Sequence, residues 1–265
     1  MKTMIFAAGL GTRLKPITDT LPKALVPIGG KPLIGYVIDK LMAAGINEAV
    51  VNVHHFADKI EDWLTNQDMI VSSPSELAEG KMLVQVSDER RQLLETGGAV
   101  LHARRYLEGC GAFLIHNVDI MSDLNINWFI SQHRQDSFAT LLVSGRKSSR
   151  YLLFHPETMR LVGWTNVNTG EIRLAGPWVD TDRCRRLAFS GIHILSEDVL
   201  DAMETYAVSH GMYIATDTPR FSIIDFYLDL CSVRTIYGVE APDLNIVDVG
   251  KIETLEEAEQ IINNR

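Results

Sequence analysis

Short apolar runs and amphipathic stretches take turns along the first half of the chain. Met4 to Ala8 is an apolar run closed by Gly9 and predicts a strand. Leu33, Ile34, Val37, Ile38, Leu41 and Met42 recur at helical spacing and predict a helix that Gly45 stops. Ala49 to Val53 predicts the next strand, and Ile60, Trp63 and Leu64 mark a short amphipathic helix after it. Met82 to Val86, Gly97 to Leu107 and Ala112 to His116 continue as strand, helix and strand.

Beyond about residue 140 the rhythm loosens. Leu152 to Phe154 and Arg160 to Trp164 flank the turn His155-Pro156-Glu157-Thr158 and predict a hairpin, expected as a small β lid on the main sheet. Phe189 to Leu195, helices at Val199 to Met203 and Ile223 to Leu230, and the strand Arg234 to Gly238 restore the alternation. Asn245 to Asp248 is a last short strand, and Leu255, Ala258, Ile261 and Ile262 line a helix over Thr254 to Ile262. Strands separated by helices predict an α/β fold with a parallel sheet flanked by helices. The expected organisation is a single domain over 1–265, with a first half at 1–140, a second half carrying the lid at 141–250, and a C-terminal helix at 251–265.

At 265 residues and 46% hydrophobic content the chain can bury a full core. Against 25 Lys and Arg stand 34 Asp and Glu, a formal net charge of −9, which excludes a broad face for nucleic acid or for anionic lipid. An anionic substrate must therefore meet a local basic site. No run approaches the roughly 18 apolar residues of a membrane span. The N-terminal apolar stretch runs straight into glycines and cations, so no secretory leader is expected there. Cys110, Cys184 and Cys231 are scattered and odd in number, which predicts reduced thiols in a cytoplasm. The oligomeric state stays open, a homo-oligomer included.

The chemistry starts where the first strand ends, at Ala7-Ala8-Gly9-Leu10-Gly11-Thr12-Arg13, with Lys23 ten positions beyond Arg13. Glycines let backbone N–H groups close around phosphate oxygens, and two cations neutralise charge that builds during phosphoryl or nucleotidyl transfer. The Walker pattern and the dinucleotide fingerprint both fail here, because Arg13 stands where the latter needs a third glycine. A glycine turn carrying surface cations is the plain alternative.

The stretch AAGLGTRLKPITDTLPKALVPIGGKPLI, Ala7 to Ile34, closely resembles the signature of sugar-1-phosphate nucleotidyltransferases, which share the nucleotide-diphospho-sugar transferase fold. The resemblance implies a Rossmann-like, mostly parallel mixed sheet flanked by helices, with a nucleotide-binding half at 1–140 and a sugar-binding half and lid at 141–250. It implies that a nucleoside triphosphate and a sugar 1-phosphate are the substrates. It implies that Ala7, Ala8, Gly9, Gly11 and Thr12 bind the triphosphate, that Arg13 holds the leaving pyrophosphate and that Lys23 bridges the reacting phosphates. Such a transfer needs a divalent cation, expected to be Mg²⁺, which favours one or two carboxylates plus substrate oxygens. Asp119 follows the strand Ala112 to His116 and Asp248 follows another short β run. In the resembled family the corresponding pair holds the metal. The family usually has Gly before the first aspartate, whereas this chain has Val118. A β-branched residue resists positive φ, so a reshaped loop is expected there and a catalytically silent sugar-nucleotide sensor stays open.

Glu95-Thr96-Gly97-Gly98 opens a helix, and its glycines would let backbone approach a flat base. A simple N-terminal cap by Thr96 is the alternative. The family meets base and ribose with this segment, and Glu-Thr-Gly-Gly resembles N-acetylmuramic acid 1-phosphate uridylyltransferases more than the Gly-Thr-Ala-Gly of guanylyltransferases. A mannose or heptose 1-phosphate guanylyltransferase is the alternative. The resemblance places Asn117, Ser190 and Gly191 around the sugar. Arg146, Lys147 and Arg150 form a cationic cluster that would clamp the sugar phosphate, or else a solvated surface.

Overall fold

In the computed structural model, which describes residues 1–214, 218–241 and 243–263, consecutive residues of the first strand part company. Met4 packs into one apolar cluster and Ile5 into another. Val50 and Val51 divide in the same way. Successive side chains of a strand point to opposite faces, so a strand apolar at every position must be covered on both sides.

The strands are β1 Lys2–Phe6, β2 Pro27–Ile28, β3 Lys31–Pro32, β4 Glu48–Val53, β5 Ile70–Val71, β6 Met82–Asp88, β7 Ala112–Asn117, β8 Ile120–Ser122, β9 Ala139–Ser144, β10 Arg150–Phe154, β11 Leu161–Asn166, β12 Glu171–Leu174, β13 Arg185–Ser196, β14 Ile236–Glu240 and β15 Ile246–Asp248. The helices are α1 Leu33–Ala43, α2 Ala57–Thr65, α3 Glu95–His102, α4 Arg104–Leu107, α5 Ile126–Ser131, α6 Val199–Ser209, α7 Ile223–Leu230 and α8 Glu253–Asn263. The main sheet runs β12-β11-β10-β13-β7-β1-β4-β6-β5, with β9 added on β13 and β14 on β9. Pairing is parallel from β7 to β5 and antiparallel from β7 through β13 to β12. The α/β reading and the mixed, mostly parallel sheet are what the chain adopts.

Helix α1 buries Leu33, Ile34, Val37, Ile38 and Leu41 on one face of the sheet with α2, while α3, α6 and α7 cover the other. Gly45 ends the α1 turn at φ +79, as its position predicts. Three boundaries differ from expectation. The first strand stops at Phe6, because the backbone of Ala7 turns to donate to Asn52 Oδ1 at 2.8 Å. The helix expected over Gly97 to Leu107 is broken at Ala103 into α3 and α4. β9 stands where the rhythm had loosened, fully buried along Ala139 to Val143. The hairpin β10–β11 joins β13 through β10, so it continues the main sheet at its edge. Ala258 of α8 is buried, while the side chains of Ile261 and Ile262 lie outside the described residues. Among the described residues no helix is long and apolar enough to cross a membrane.

Two irregularities create the site. Strand β13 breaks its register with β9 between Phe189 and His193, at Ser190-Gly191, where its other edge passes from β10 to β7. The short pair β8–β15 forms a separate antiparallel ladder beside the carboxyl end of β7.

Candidate active site

The glycine loop is shaped by what surrounds Gly11. Its φ is +65, and a Cβ there would lie 2.8 Å from Thr18 Cγ2 and 3.2 Å from Lys23 Cβ. Only glycine fits both the conformation and the space. The Thr18 hydroxyl donates to Gly11 O at 2.8 Å, and Leu14 N donates to the same oxygen at 2.8 Å. Leu14 is buried, so the turn Thr12–Leu14 is anchored at one end while Thr12 and Arg13 stand exposed. Gly9 has open space around it.

Lys23 leads a buried turn that begins after Pro22, and its ammonium contacts Asp119 Oδ2. Asp119 sits between β7 and β8. The β8–β15 register sets Asp248 opposite Ile120, and Val249 N donates to Asp119 O at 2.8 Å. The two aspartates thereby come together from distant parts of the sequence. Burial, and next the Asp119 charge, push the Asp248 carboxyl above the usual carboxylate range; Lys23, Arg13 and Arg146 pull it back. Asp248 Oδ1 is buried with no hydrogen-bond partner. Arg13 arrives from the other side: a Cβ on Gly250 would lie 2.6 Å from Arg13 Nη2 and 2.7 Å from Asp248 Oδ1. The loop cations and the carboxylate pair, expected to converge, do so.

Two hollows reach this point and another adjoins them. The first, of about 380 Å³, is walled by Phe6, Ala8, Gly9, Asn52, Glu89 and Glu95, with Thr96, Asn117, Lys23 and Asp119 completing it. The second, of about 530 Å³, takes in Arg150, Trp164, Glu171, Arg173 and Asp225 and shares Ser222 with the first. The third, of about 430 Å³, holds Arg13, Arg146, Lys147, Lys251 and Asp248.

Several expectations change. Gly97 and Gly98 do not offer open backbone to a base. Both N–H groups donate to Phe221 O, at 2.9 and 3.2 Å, and added Cβ atoms would strike the Phe221 ring at 2.3 Å and Pro219 O at 2.3 Å. Their small size serves packing of α3 on the segment ahead of α7. Thr96 does not cap its own helix; its hydroxyl accepts from Ile223 N at 2.9 Å, at the start of α7. Glu95 opens α3 at φ +60, a region rarely taken by a residue with a side chain, and its carboxylate is held by Arg220 at 2.9 Å. Val118 is not among the residues at positive φ. Its N–H donates to Phe6 O at 3.1 Å and its side chain is buried, so valine sits here without backbone strain. Arg146, Lys147 and Arg150 are not one cluster, for Arg150 faces the second hollow while Arg146 and Lys147 face the third.

Gly191 has φ +72, and a Cβ on it would lie 2.8 Å from Asn117 Nδ2, which puts the two residues side by side. Ser190 is fully buried and its hydroxyl has no partner. Ala7 is buried behind the first hollow, tied to Asn52.

Two residues in the first hollow went unrecognised in the sequence. Asn52 accepts from Ala7 N and donates from Nδ2 to Glu89 Oε1 at 2.8 Å. Glu89 Oε2 accepts from Leu94 N at 3.2 Å, and burial raises the Glu89 carboxyl above its ordinary value against the pull of both bonds. A lone Asn inside the apolar run Ala49-Val50-Val51-Asn52-Val53 was the signal available. Glu89, lost in Asp88-Glu89-Arg90-Arg91, offered none.

The model of the family described as nucleotidyl transferase matches residues 2–151. An N-acetylmuramate alpha-1-phosphate uridylyltransferase of Caulobacter vibrioides is 45% identical over 116 residues, 44% of this chain and 44% of the relative. Its namesake in Neisseria meningitidis is 38% identical over 125 residues, 47% of this chain and 49% of the relative. The matches thus span less than half the length of these relatives. Among solved structures, UDP-glucose pyrophosphorylase complexed with UDP-glucose superposes with a TM-score of 0.72 at 19% identity, over 99% of this chain and 98% of that one. HddC from Yersinia pseudotuberculosis does so with a TM-score of 0.70 at 22% identity, over 98% and 99%. Both likenesses are of fold.

Proposed function

The chain belongs to the nucleotidyl transferase family, and from that premise we propose that it transfers a nucleoside monophosphate from a triphosphate to a sugar 1-phosphate, giving a nucleotide-sugar and pyrophosphate. The observation that carries this reading is the meeting of Lys23 and Arg13 with Asp119 and Asp248, where they line two hollows. A phosphate oxygen of the sugar attacks the α-phosphorus, a new P–O bond forms, and the bond to the β-phosphate oxygen breaks with its electron pair leaving on pyrophosphate. The attacking oxygen is already ionised at neutral pH, so no general base is needed, and alignment plus electrostatics supply the rate.

In this reading Lys23 bridges the reacting phosphates and Arg13 holds the departing one. The first hollow takes the base and ribose, with Glu95 and Thr96 on its wall and Asn52 and Glu89 fixing its floor. Asn117 faces the sugar, with Ser190 and Gly191 buried behind it at the β13 break, and Arg150 borders the adjoining hollow. Asp119 and Asp248 fit a divalent cation, which we take to be Mg²⁺. Two close carboxylates, one with an unpartnered buried Oδ1, offer the hard oxygen ligands that a small divalent cation takes. Bound there, Mg²⁺ would screen phosphate charge and fix the angle of approach. Among the described residues no group of three or more His, Cys, Asp or Glu could hold a metal, as suits an ion completed by substrate oxygens.

The relatives from Caulobacter and Neisseria support uridine and an N-acetylmuramate-like sugar. The free thiols of all three cysteines suit a cytoplasmic setting. The test is a matrix of four triphosphates against several sugar 1-phosphates with Mg²⁺, scored by pyrophosphate released. Turnover with UTP and N-acetylmuramate 1-phosphate is expected; preference for GTP with mannose or heptose 1-phosphate would replace that substrate pair, and binding without pyrophosphate release would leave only a sensor.

A further inference from the structure

The hollow on the Asp248 side carries more positive charge than the signature loop supplies. Arg13, Arg146, Lys147 and Lys251 all border it, against Asp248 and Glu257. None of the four has a carboxylate within ion-pair distance among the described residues. On a chain of net charge −9 four cations against two carboxylates around one hollow are a local reversal of sign.

Arg146 is the most constrained of them. Its Nη2 donates to Phe189 O at 2.9 Å, fixing the guanidinium beside the β13 break, while its Nε is buried without a partner. Its charge reaches Asp248. A half-buried guanidinium with an unsatisfied N–H is costly unless an anion arrives to meet it. Lys251 comes to the same hollow from the turn into α8, next to Gly250, whose missing side chain makes room for both Arg13 and Asp248.

The first and third hollows each reach the carboxylate pair, Asp119 lining the first and Asp248 the third. With its base in the first and its α-phosphorus at the carboxylates, a triphosphate has the third, where Arg13 stands, for its β- and γ-phosphates. We propose that Arg146 and Lys251, joined by Lys147, complete with Arg13 the seat for the β- and γ-phosphates and for the pyrophosphate that leaves. The assignment rests on the nucleotidyl-transfer reading and takes Arg146 and Lys147 away from the sugar phosphate. As the bond between the α-phosphorus and the bridging oxygen breaks, negative charge gathers on the β-phosphate, where fixed cations stabilise it without reorganising.

The experiment is calorimetric binding of inorganic pyrophosphate with Mg²⁺ to the whole protein, alongside the nucleoside monophosphate that binds best. Arg146→Ala and Lys251→Ala should each weaken pyrophosphate binding about tenfold, the loss of one charge-assisted contact. Monophosphate affinity should stay within about twofold, Arg146→Lys should recover most of the loss and show that the fold is intact, and Arg150→Ala should leave pyrophosphate binding alone. Unchanged pyrophosphate affinity in the double variant, equal loss in Arg150→Ala, or no pyrophosphate binding by the wild type overturns the assignment. Because no sugar is present, a sugar panel that finds no acceptor would remove the proposed reaction while leaving this measurement readable.

Discussion

The Lys23 ammonium lies against Asp119 Oδ2, so a cation set by the glycine loop is bound to an anion set by the end of β7. Only about a tenth of the Lys23 side chain is exposed, at 11%. A pair this shielded is not a surface ornament; without ligand it neutralises a carboxylate, and with ligand it must share its charge with phosphate. Lys23→Gln should lower kcat by about 10²- to 10³-fold, the usual effect of losing one preorganised charge in a transfer site. Pyrophosphate release at saturating substrate measures it, and a loss confined to KM would show that Lys23 only binds.

Asp248 tests the metal. Replacing Asp119 by Ala should abolish Mg²⁺-dependent turnover, and Asp248→Asn should raise the half-saturating Mg²⁺ concentration by about tenfold or more. A second signature separates ligation from damage. The Asp119 charge and burial already disfavour an ionised Asp248, so the amide should hold or raise the melting temperature without metal. Added Mg²⁺ should then stabilise the wild type and not the variant. Equal Mg²⁺ stabilisation of both proteins would remove Asp248 from the site.

Glu89 joins three segments through one carboxyl, accepting from Asn52 and from Leu94 N while Asn52 holds Ala7 N. In Glu89→Gln one acceptor becomes an NH₂ group that faces another donor. Such a buried mismatch costs about 1–3 kcal/mol. The melting temperature should fall, and nucleotide affinity should fall further than stability alone explains, because Ala8 and Leu93, the chain neighbours of the two N–H groups held, line the base hollow together with Asn52 and Glu89. A melting temperature matching the wild type would mean that Glu89 organises nothing.

The parts of this site that were legible are those tied to local pattern. β1, α1 and β4 follow from apolar periodicity, and Gly11, Arg13 and Lys23 from a loop directly after a strand. β9 was missed because a strand buried on both faces has no alternation, leaving Ala139 to Val143 as a short apolar run of either type. Asp119 and Asp248 were paired only through the family resemblance, because their meeting depends on the β8–β15 register, a long-range pairing of three residues on each side. Gly97 and Gly98 misled for a general reason: a missing side chain serves a bound ligand and a neighbouring segment equally well, and only the position of Phe221 and Pro219 decides between them.

Gly191→Ala separates shape from chemistry at the β13 break. The residue sits at φ +72, where a side chain costs about 1–2 kcal/mol, and the new Cβ would press on Asn117 Nδ2. Asn117 must shift, so KM for the sugar 1-phosphate should rise several-fold while KM for the triphosphate holds. A parallel rise in both would place Gly191 outside sugar recognition.

Two buried histidines set the pH response of the fold. Burial lowers His193 to about 3, where its Nδ1 meets Tyr227 Oη at 2.6 Å, and lowers His116 to about 4, with Lys40 adding to the effect and Asp119 opposing it. Both are neutral in the folded chain at pH 6 but bind protons when unfolded, from about 6.5 downward. Their stabilisation is therefore complete above that value and lost as pH falls, by about 1.4 kcal/mol per pH unit for each once below it. Glu89 and Asp248, raised by burial, work in the opposite sense, because the folded state takes up protons more readily. The His193 share is therefore read as the difference between wild type and His193→Gln, from urea midpoints at about pH 6.5 and 5.5 with no metal present. The variant, which can still bond Tyr227 and does not titrate in this range, should lose less stability over that interval than the wild type; an identical loss in the two proteins would show that the fold does not keep His193 neutral.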